Sequence, residues 1–276
     1  YTTNITNAGN FDPTVIPFLD VRNPDYNALT AKPEVFAFPG FVDDRKSYGL
    51  YIQNQIAFSD QWKLLIGGRY DWISDDTGSI SLDDVRTTSV QTDGAFSPRI
   101  GLVYQPSKTV SLYASYTQSF NPAIGRNPDN QPFKPTRGTQ YEVGVKTDFL
   151  DGKLSATLAA YNITKSNVLT PDPDPSLAVQ GFQVQVGEQR SRGIELDVAG
   201  EVLPGWKIIA SYAHTDATVT TDNSIPTKVG NRLTNVPQNQ ASLWTTYEIQ
   251  KGNAKGLGFG FGLFYVGDRQ GDLENT

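Results

Sequence analysis

Few residues of this chain could do chemistry, and their spacing argues against catalysis. His214 is the only histidine, and Ser211 and Asp216 lie near it only along the sequence. A nucleophilic triad needs three such side chains to meet in space with the base in the middle, and this spacing does not indicate that. The chain has no cysteine, so thiolate nucleophiles, thiolate metal ligands and disulfides are excluded. We therefore predict that the protein is not an enzyme.

The sequence also offers little for a metal, a cofactor or a nucleic acid. The glycine run 256–262 repeats every second residue, whereas a dinucleotide fingerprint needs G-x-G-x-x-G between a strand and a helix. The acidic segment 75–84 lacks the D-x-D-x-D-G pattern of a calcium loop. A net charge of −6 argues against a nucleic-acid surface, which needs clustered lysine and arginine. We predict no metal site, no cofactor and no nucleic-acid partner.

A predicted hairpin at 139–163 shows how the chain is organised. Apolar residues alternate with polar or charged ones from Tyr141 to Phe149, and the alternation resumes at Leu154 after the Asp151-Gly152 connection. Period two around an Asp-Gly turn predicts a β-hairpin. Arms of about ten residues fit strands that cross a bilayer at a tilt. One apolar and one polar face therefore predict the wall of a transmembrane β-barrel with a wet lumen.

Similar alternation recurs in ten segments between residues 47 and 269. Short turns follow five of the segments, and long polar connections separate the rest; the short turns come after Phe58, Gln105, Phe149, Val202 and Ile249. Short periplasmic turns opposite long outer loops are typical of outer-membrane barrels, as are aromatic residues at both ends of the strands. The predicted fold class is all-β, an antiparallel transmembrane β-barrel segment.

Two polar regions are predicted to lie outside the wall. Residues 1–46 are rich in Pro, Asn and Asp, which predicts a largely extracellular loop. Residues 73–95 form a long polar segment, in which 79–82 is predicted to be at most a short hairpin. Strands are therefore expected to begin near Ser47.

Five stretches carry a more specific signal, a resemblance that covers roughly Tyr48 to Asp272. They are FSPRIGLVYQPSKTVSLYASYTQSFNP, TQYEVGVKTDFLDGKLSATLAAYNITKSNVLTPDP, GEQRSRGIELDVAGEVLPGWKIIASYAHTDA, NRLTNVPQNQASLWTTYE and GLGFGFGLFYVGDRQGD. In this order they resemble the barrel of TonB-dependent siderophore receptors, and the likeness is strongest to the ferric-hydroxamate, or ferrichrome-type, branch.

The resemblance implies a 22-stranded barrel in the bacterial outer membrane, with an N-terminal plug domain inside it. It implies import of a ferric siderophore, energised by the TonB complex through a box on the plug. The other implied partner is outer-membrane lipid. Residues 1–276 are expected to be one barrel-domain fragment from the middle of such a wall, with the plug and the closing strands absent.

Several alternatives stay open. The chain could be a self-contained, plug-less porin of ten or twelve strands, a soluble β adhesin, or part of a TonB-dependent receptor for cobalamin, haem or a glycan. Apolar stripes with aromatic ends disfavour the adhesin. Gly258, Gly260 and Gly262 share the predicted lumen side, and a strand stripped of side chains lets another body pack close. They favour a plugged barrel over an open pore.

The ligand-binding candidates follow from the predicted lumen side. Tyr161, Trp244 and Phe264 are aromatic residues at lumen positions, where they would contact the plug or the ligand. Arg126 and Phe133 lie in a proline-stiffened outer loop and are the other candidates. The resemblance implies that the chelate supplies the oxygens that hold iron, so no protein ligand for the metal is expected.

Arg190 and Arg192 lie on the predicted outward side, just beyond the apolar positions of a long strand. They are either ordinary solvated charges or binding groups for lipid phosphates. The forked geometry of the guanidinium suits phosphate oxygens, so these two residues are the lipid-headgroup candidates.

Overall fold

The structure, a computed structural model, describes residues 2–6, 40–80, 86–124, 127–129, 131–222 and 224–275. These residues form one antiparallel sheet in which each strand pairs with its neighbours in sequence order. The strands are β1 (Thr2–Thr6), β2 (Gly40–Ala57), β3 (Trp62–Ile80), β4 (Arg86–Ser107), β5 (Val110–Asn121), β6 (Thr136–Phe149), β7 (Leu154–Pro171), β8 (Gln183–Leu203), β9 (Trp206–Asp222), β10 (Asn239–Glu248) and β11 (Gly258–Val266). The all-β, antiparallel prediction is confirmed.

The connections alternate in length as the sequence predicted, except that only five residues separate β3 from β4. Short links join β2 to β3, β4 to β5, β6 to β7 and β8 to β9, and a nine-residue link joins β10 to β11. The connection before β8 contains a four-residue helix, α1 (Pro175–Ala178), and the one before β10 contains a 3-10 turn at Pro226–Lys228. No helix among the described residues is long and apolar enough to span a membrane.

The β6–β7 turn uses backbone that most side chains avoid. Leu150 and Asp151 have φ of 54° and 56°, and Gly152 follows at 82°. The turn is closed by the amide of Gly152, which donates to the carbonyl of Phe149 at 3.1 Å. Leucine pays a steric penalty in this left-handed region that glycine and asparagine largely escape. The predicted Asp-Gly connection is therefore correct, but Leu150 also carries the turn.

Cross-strand register divides the sheet into two faces. Glu142 on β6 lies opposite Ser115 on β5 and Tyr161 on β7, whereas the next residue, Val143, lies opposite Ala114 and Ala160. We call the side of the sheet that carries Glu142 the polar face and the side that carries Val143 the apolar face. The apolar face is strongly exposed: its members include Leu112, Val143, Leu158, Ile194, Leu196, Phe261 and Leu263.

This exposure fits a wall that meets hydrocarbon. Leu158, the fifth residue of β7, is 46 % exposed. The buried apolar residues of the described chain are few and mostly small; they are Val42, Ala95, Ala123, Phe133, Ala159, Ala217 and Val219. Backbone pairing and the outer environment, rather than an internal core, hold such a sheet.

Aromatic pairs mark both ends of the strands. Trp62 and Tyr104 stack with ring centroids 4.5 Å apart beside the short turns. Tyr116 and Tyr141 meet at 5.1 Å beside the long connections. Both pairs match the two aromatic girdles that the sequence predicted.

In the first hundred residues the strands predicted around 50–56 and 64–72 are present, but the predicted strand limits were too narrow. β1 occupies Thr2–Thr6, β2 begins at Gly40 rather than Ser47, and β3 and β4 include most of the segment 73–95 that was assigned to a loop. Residues 7–39 and 81–85, and with them the end of the predicted 79–82 hairpin, lie outside the described residues. These strand ends carry little apolar alternation, so the periodicity gave no signal.

The described chain divides into two compact units, Tyr1–Tyr48 with Asp71–Gly94, and Gly49–Tyr70 with Ala95–Thr276. In the first unit the guanidinium of Arg45 donates to both carboxylate oxygens of Asp75, and Asp75 is only 1 % exposed. Arg86 pairs with Asp76 at 3.3 Å. Ion pairs thus connect these segments of β2, β3 and β4, which carry no regular apolar alternation. All residues of the candidate site belong to the second unit.

Candidate functional site

Tyr161 is held across two neighbouring strands on the polar face. It lies opposite Gly193 on β8, which lies opposite Thr215 on β9. A Cβ at Gly193 would be 2.8 Å from the Tyr161 hydroxyl, so the ring covers the glycine. The hydroxyl then reaches Thr215 and shares a hydrogen bond of 3.1 Å with its Oγ1. The tyrosine side chain is therefore held against the sheet, and it offers one face of its ring and its hydroxyl oxygen on the polar face.

A second cluster on the polar face surrounds Glu142. Tyr113 donates its hydroxyl hydrogen to Oε1 of Glu142 at 2.7 Å, and Gln140 donates to Oε2 at 2.8 Å. The Tyr113 ring covers Gly144, where an added Cβ would lie 2.6 Å from ring carbons. The ammonium of Lys146 is 5.7 Å from the centre of that ring. Both oxygens of Glu142 are engaged, so its charge is fixed in one place.

Glu195 and Asp197 continue the acidic character along β8. Glu195 lies between Ala159 and Ala213 on the adjacent strands, and neither carboxylate makes a hydrogen bond or ion pair within the described residues. A hollow of about 360 Å³ beside them is also lined by Ser211, Gln240, Ser242 and Phe264. Neither this cluster nor the cluster around Glu142 was predicted from the sequence. The available signal was the parity of the charged residues, which placed them on the lumen side.

Trp244 and Phe264 are neighbours at Gly262. A Cβ on that glycine would be 2.7 Å from the indole of Trp244 and 3.6 Å from the ring of Phe264. The indole also covers Gly260, at 3.3 Å from an added Cβ. Two of the three glycine positions that were predicted to leave room for another body, Gly260 and Gly262, are therefore covered by Trp244, and Gly258 is not. Trp244 is 49 % and Phe264 is 75 % exposed.

Tyr161 is not part of this pair. Trp244 lies opposite Ile209, and the same row continues through Ala199 to Ser155 on β7. Ser155 is six residues from Tyr161, or about 20 Å along a strand at about 3.3 Å per residue. Tyr161 therefore lies apart from Trp244 on the polar face, and Phe264 is grouped with Trp244 at Gly262.

The loop candidates lie between β5 and β6. Phe133 is 7 % exposed, so its side chain is buried. Arg126 lies outside the described residues. Ligand contact by Tyr161, Trp244, Phe264, Arg126 or Phe133 stays a prediction.

The lipid-headgroup candidates differ from each other. Arg192 donates to Asp216 on the next strand at 2.9 Å, and both side chains are partly exposed. Arg190 is half-buried, and its Nε has no hydrogen-bond partner in the described structure. Phosphate binding by this pair stays a prediction.

His214 makes a simple polar contact. Its Nδ1 lies 2.9 Å from Oδ1 of Asn239, which also accepts a hydrogen bond from Tyr212. Within the described ranges, no group of three or more acidic or histidine side chains lies close enough to hold a metal ion.

A long antiparallel sheet in sequence order, with one apolar face, one polar face and aromatic residues at both strand ends, defines the wall of an outer-membrane β-barrel. The family model described as "TonB dependent receptor-like, beta-barrel" matches residues 2–276. The chain belongs to this family. Its members lie in the bacterial outer membrane and are receptors, not enzymes, in agreement with the predicted location and the predicted lack of catalysis.

Curated relatives match nearly the whole chain. The chain is 39 % identical over 266 residues to the metal-pseudopaline receptor of Pseudomonas aeruginosa, covering 94 % of this chain and 36 % of the relative. It is 36 % identical over 265 residues to the ferrichrome outer membrane transporter/phage receptor of Escherichia coli, covering 95 % of this chain and 34 % of the relative. The chain thus spans about a third of the length of these relatives.

A solved structure agrees with this assignment. The siderophore receptor PiuA from Acinetobacter baumannii superposes with a TM-score of 0.76 at 27 % identity, covering 89 % of this chain and 37 % of that chain.

Proposed function

We propose that the complete protein is a TonB-dependent outer-membrane importer of a ferric siderophore of the hydroxamate, ferrichrome-like, type. The observation that carries the proposal is the position of Tyr161 on the polar face, where a hydrogen bond to Thr215 holds it, together with the 36 % identity to a ferrichrome transporter. A ferric chelate is bulky and presents oxygen atoms and partly apolar carbon. A fixed ring with a hydroxyl beside it complements both features.

Tyr161 is the first contact that we assign to the ligand in the wall. Tyr161 lies two residues beyond Ala159, the β7 partner of Glu195, in the direction of the long connections. A chelate that enters from outside would therefore contact it early. The neighbouring polar-face residues toward the long connections are mainly uncharged and can donate or accept hydrogen bonds; they include Thr117, Gln140, Ser191 and Thr215. Phe133 and Arg126 in the outer loop are the proposed second set of contacts.

Trp244 and Phe264 receive a different role in this proposal. They lie together on β10 and β11, apart from Tyr161, and we assign them to packing against a folded plug inside the barrel. Trp244 covers Gly260 and Gly262 and Phe264 lies beside Gly262, and flat aromatic surfaces suit packing. Energy for import would reach the ligand site through that plug and the TonB complex.

The metal-pseudopaline relative supports a second candidate ligand class. Its identity to this chain is slightly higher, at 39 % against 36 % for the ferrichrome transporter. A metallophore loaded with a divalent metal is therefore the named alternative within the same receptor class. Cobalamin, haem, a glycan and an open pore are the remaining alternatives.

The test is a binding and uptake measurement on the complete receptor. Purified receptor is titrated with ferrichrome, ferrioxamine B loaded with iron, nickel-loaded pseudopaline, haem and cobalamin, and binding is followed by quenching of tryptophan fluorescence. Tight binding of a ferric hydroxamate without an energy source, with uptake only in cells that have TonB, supports the proposal. Preference for the nickel complex supports the alternative, and binding of haem or cobalamin alone rejects both.

The same titration tests Tyr161. Tyr161→Ala removes the ring and the hydroxyl, and Tyr161→Phe removes only the hydroxyl that bonds Thr215. We expect a rise in Kd of about tenfold or more for alanine, the loss of one buried aromatic contact, and a smaller rise for phenylalanine. Thr157→Ala, on the same strand and face, is the matched control and should bind as the unchanged receptor does.

A further inference from the structure

The connection between β5 and β6, residues 122–135, is fastened to β7 and β8 by two side-chain amides. This outer loop carries Phe133, one of the proposed ligand contacts. The fastening spans 51 positions in sequence between Lys134 and Gln185. It is therefore tertiary structure, and no turn motif within the loop predicts it.

Gln185 binds both backbone groups of Lys134. Its Oε1 accepts a hydrogen bond from the Lys134 amide at 2.9 Å, and its Nε2 donates to the Lys134 carbonyl. The same Nε2 donates to the carbonyl of Asn167 at 3.0 Å. A side-chain amide that satisfies both backbone groups of one residue replaces the pairing that a neighbouring strand would supply.

Asn167 fixes the next two residues of the loop. Its backbone has φ of 58°, a conformation that asparagine tolerates better than most residues. Its Nδ2 donates to the Pro135 carbonyl at 3.0 Å, and its own carbonyl accepts from the Thr136 hydroxyl at 3.1 Å. Pro135 has no amide hydrogen, so this part of the loop depends on side chains for its attachment.

The other end of the loop is also ordered by its own contacts. The amide of Asn127 donates to the Gln131 carbonyl at 3.0 Å, and the Gln131 amide donates to the side chain of Asn127 at 2.8 Å. Phe133, which lies between this turn and Lys134 in sequence, is buried. Hydrogen bonds therefore order the described residues 127, 131 and 134–136 of this region.

We propose that Gln185 is a positioning residue for ligand binding, which fixes residues 131–136, at the end of the outer loop, in their binding arrangement in advance. This inference rests on the proposed function, because it assigns the loop to the ligand site. A loop that is ordered during folding loses no further conformational freedom when the ligand binds, and the affinity is higher for that reason. Gln185 itself touches no ligand.

Hydrogen exchange on the complete receptor tests the first half of this inference. In Gln185→Ala the amide of Lys134 loses its acceptor, and exchange at 131–136 should rise about tenfold or more, while exchange in β6 beyond Gln140 stays unchanged. Gln185→Glu keeps the shape but places a carboxylate against two carbonyls, so it should loosen the loop at least as much. Gln183→Ala is the matched control, since the Gln183 side chain makes no hydrogen bond in the described structure. Unchanged exchange in Gln185→Ala would overturn the inference.

Ligand titration tests the second half, with ferrichrome and iron-loaded ferrioxamine B as probes. We expect Kd to rise about fivefold to tenfold in Gln185→Ala, the effect of losing roughly one to two net hydrogen bonds, and to stay unchanged in Gln183→Ala. A loosened loop with an unchanged Kd would show that Gln185 is structural only, and would overturn the positioning role. If the unchanged receptor binds neither probe, the proposed function fails, and exchange at Lys134 still decides whether Gln185 orders the loop.

Discussion

The indole of Trp244 on β10 lies flat over Gly262 on β11, where a Cβ would stand 2.7 Å from its Cε3 atom. The two residues are direct cross-strand partners. The same arrangement recurs with Tyr113 over Gly144 and Tyr161 over Gly193. Each glycine lets an aromatic ring lie along the sheet instead of standing away from it. Pairs of one aromatic residue and one glycine on neighbouring strands thus determine the shape of the polar face.

Gly262→Val should displace this indole. The two methyl groups of valine cannot fit beneath the ring, so the indole must turn away from the wall, at a cost of about 1–3 kcal/mol. We expect a lower midpoint of urea unfolding in lipid bilayers and a changed tryptophan emission maximum. Gly258→Ala is the control, because a Cβ there meets only the Tyr247 carbonyl at 3.6 Å. Equal effects of the two variants would contradict the packing role of Gly262.

Leu158→Arg should be far more damaging than Thr157→Lys, although the residues are adjacent. Leu158 lies on the exposed apolar face and Thr157 on the polar face opposite Lys146 and Asp197. An arginine near the bilayer midplane costs about 2–4 kcal/mol, whereas a lysine beside water and Asp197 costs much less. Folding titrations into bilayers measure both. Similar penalties would refute the assignment of the two faces.

Leu150→Asn should stabilise the β6–β7 hairpin. Leu150 has φ of 54° and is half-exposed, so it bears backbone strain without a compensating core contact. Asparagine is tolerated better in this region, and we expect a gain of about 0.5–1 kcal/mol. Gly152→Ala, at φ of 82°, should change the unfolding free energy in the opposite direction. A loss of stability in Leu150→Asn would show that the leucine side chain is needed at the membrane surface.

The short helix α1 should respond to acid through Asp174. Asp174 caps the helix by accepting hydrogen bonds from the hydroxyl and the amide of Ser176, both at 2.8 Å. The pKa of Asp174 is lowered by these bonds, first of all by that of the Ser176 hydroxyl. A lowered pKa means that the cap stabilises the helix above the ordinary carboxylate pKa and is lost as pH falls through the lowered value.

Amide exchange at Ser176 to Ala178, corrected for intrinsic rates, measures this effect between pH 6 and pH 2. Protection should be constant down to the ordinary pKa of 3.8 and fall below it. In Asp174→Ala it should be weak at every pH. A pH-independent protection in the unchanged receptor would exclude a role for the ionised cap.

The sequence alone determined the class of sheet, because strand periodicity and turn chemistry are local. The alternation from Tyr141 to Phe149 and the Asp151-Gly152 connection predicted the central hairpin, and the register confirms it residue by residue. The same parity rule placed Tyr161 and Trp244 on one face. Once one residue of a strand is assigned to a face, every second residue follows.

Only the tertiary structure decided where the residues of that face meet. Parity says nothing about position along neighbouring strands, so it could not show that Tyr161 and Trp244 lie apart or that Trp244 covers Gly262. Parity also missed the strand segments before Ser47 and within residues 73–95. Ion pairs such as that of Arg45 with Asp75 take the place of an apolar stripe there. The contact between Gln185 and Lys134 depends on two distant segments reaching the same place, and that is settled by the folded sheet rather than by any local pattern.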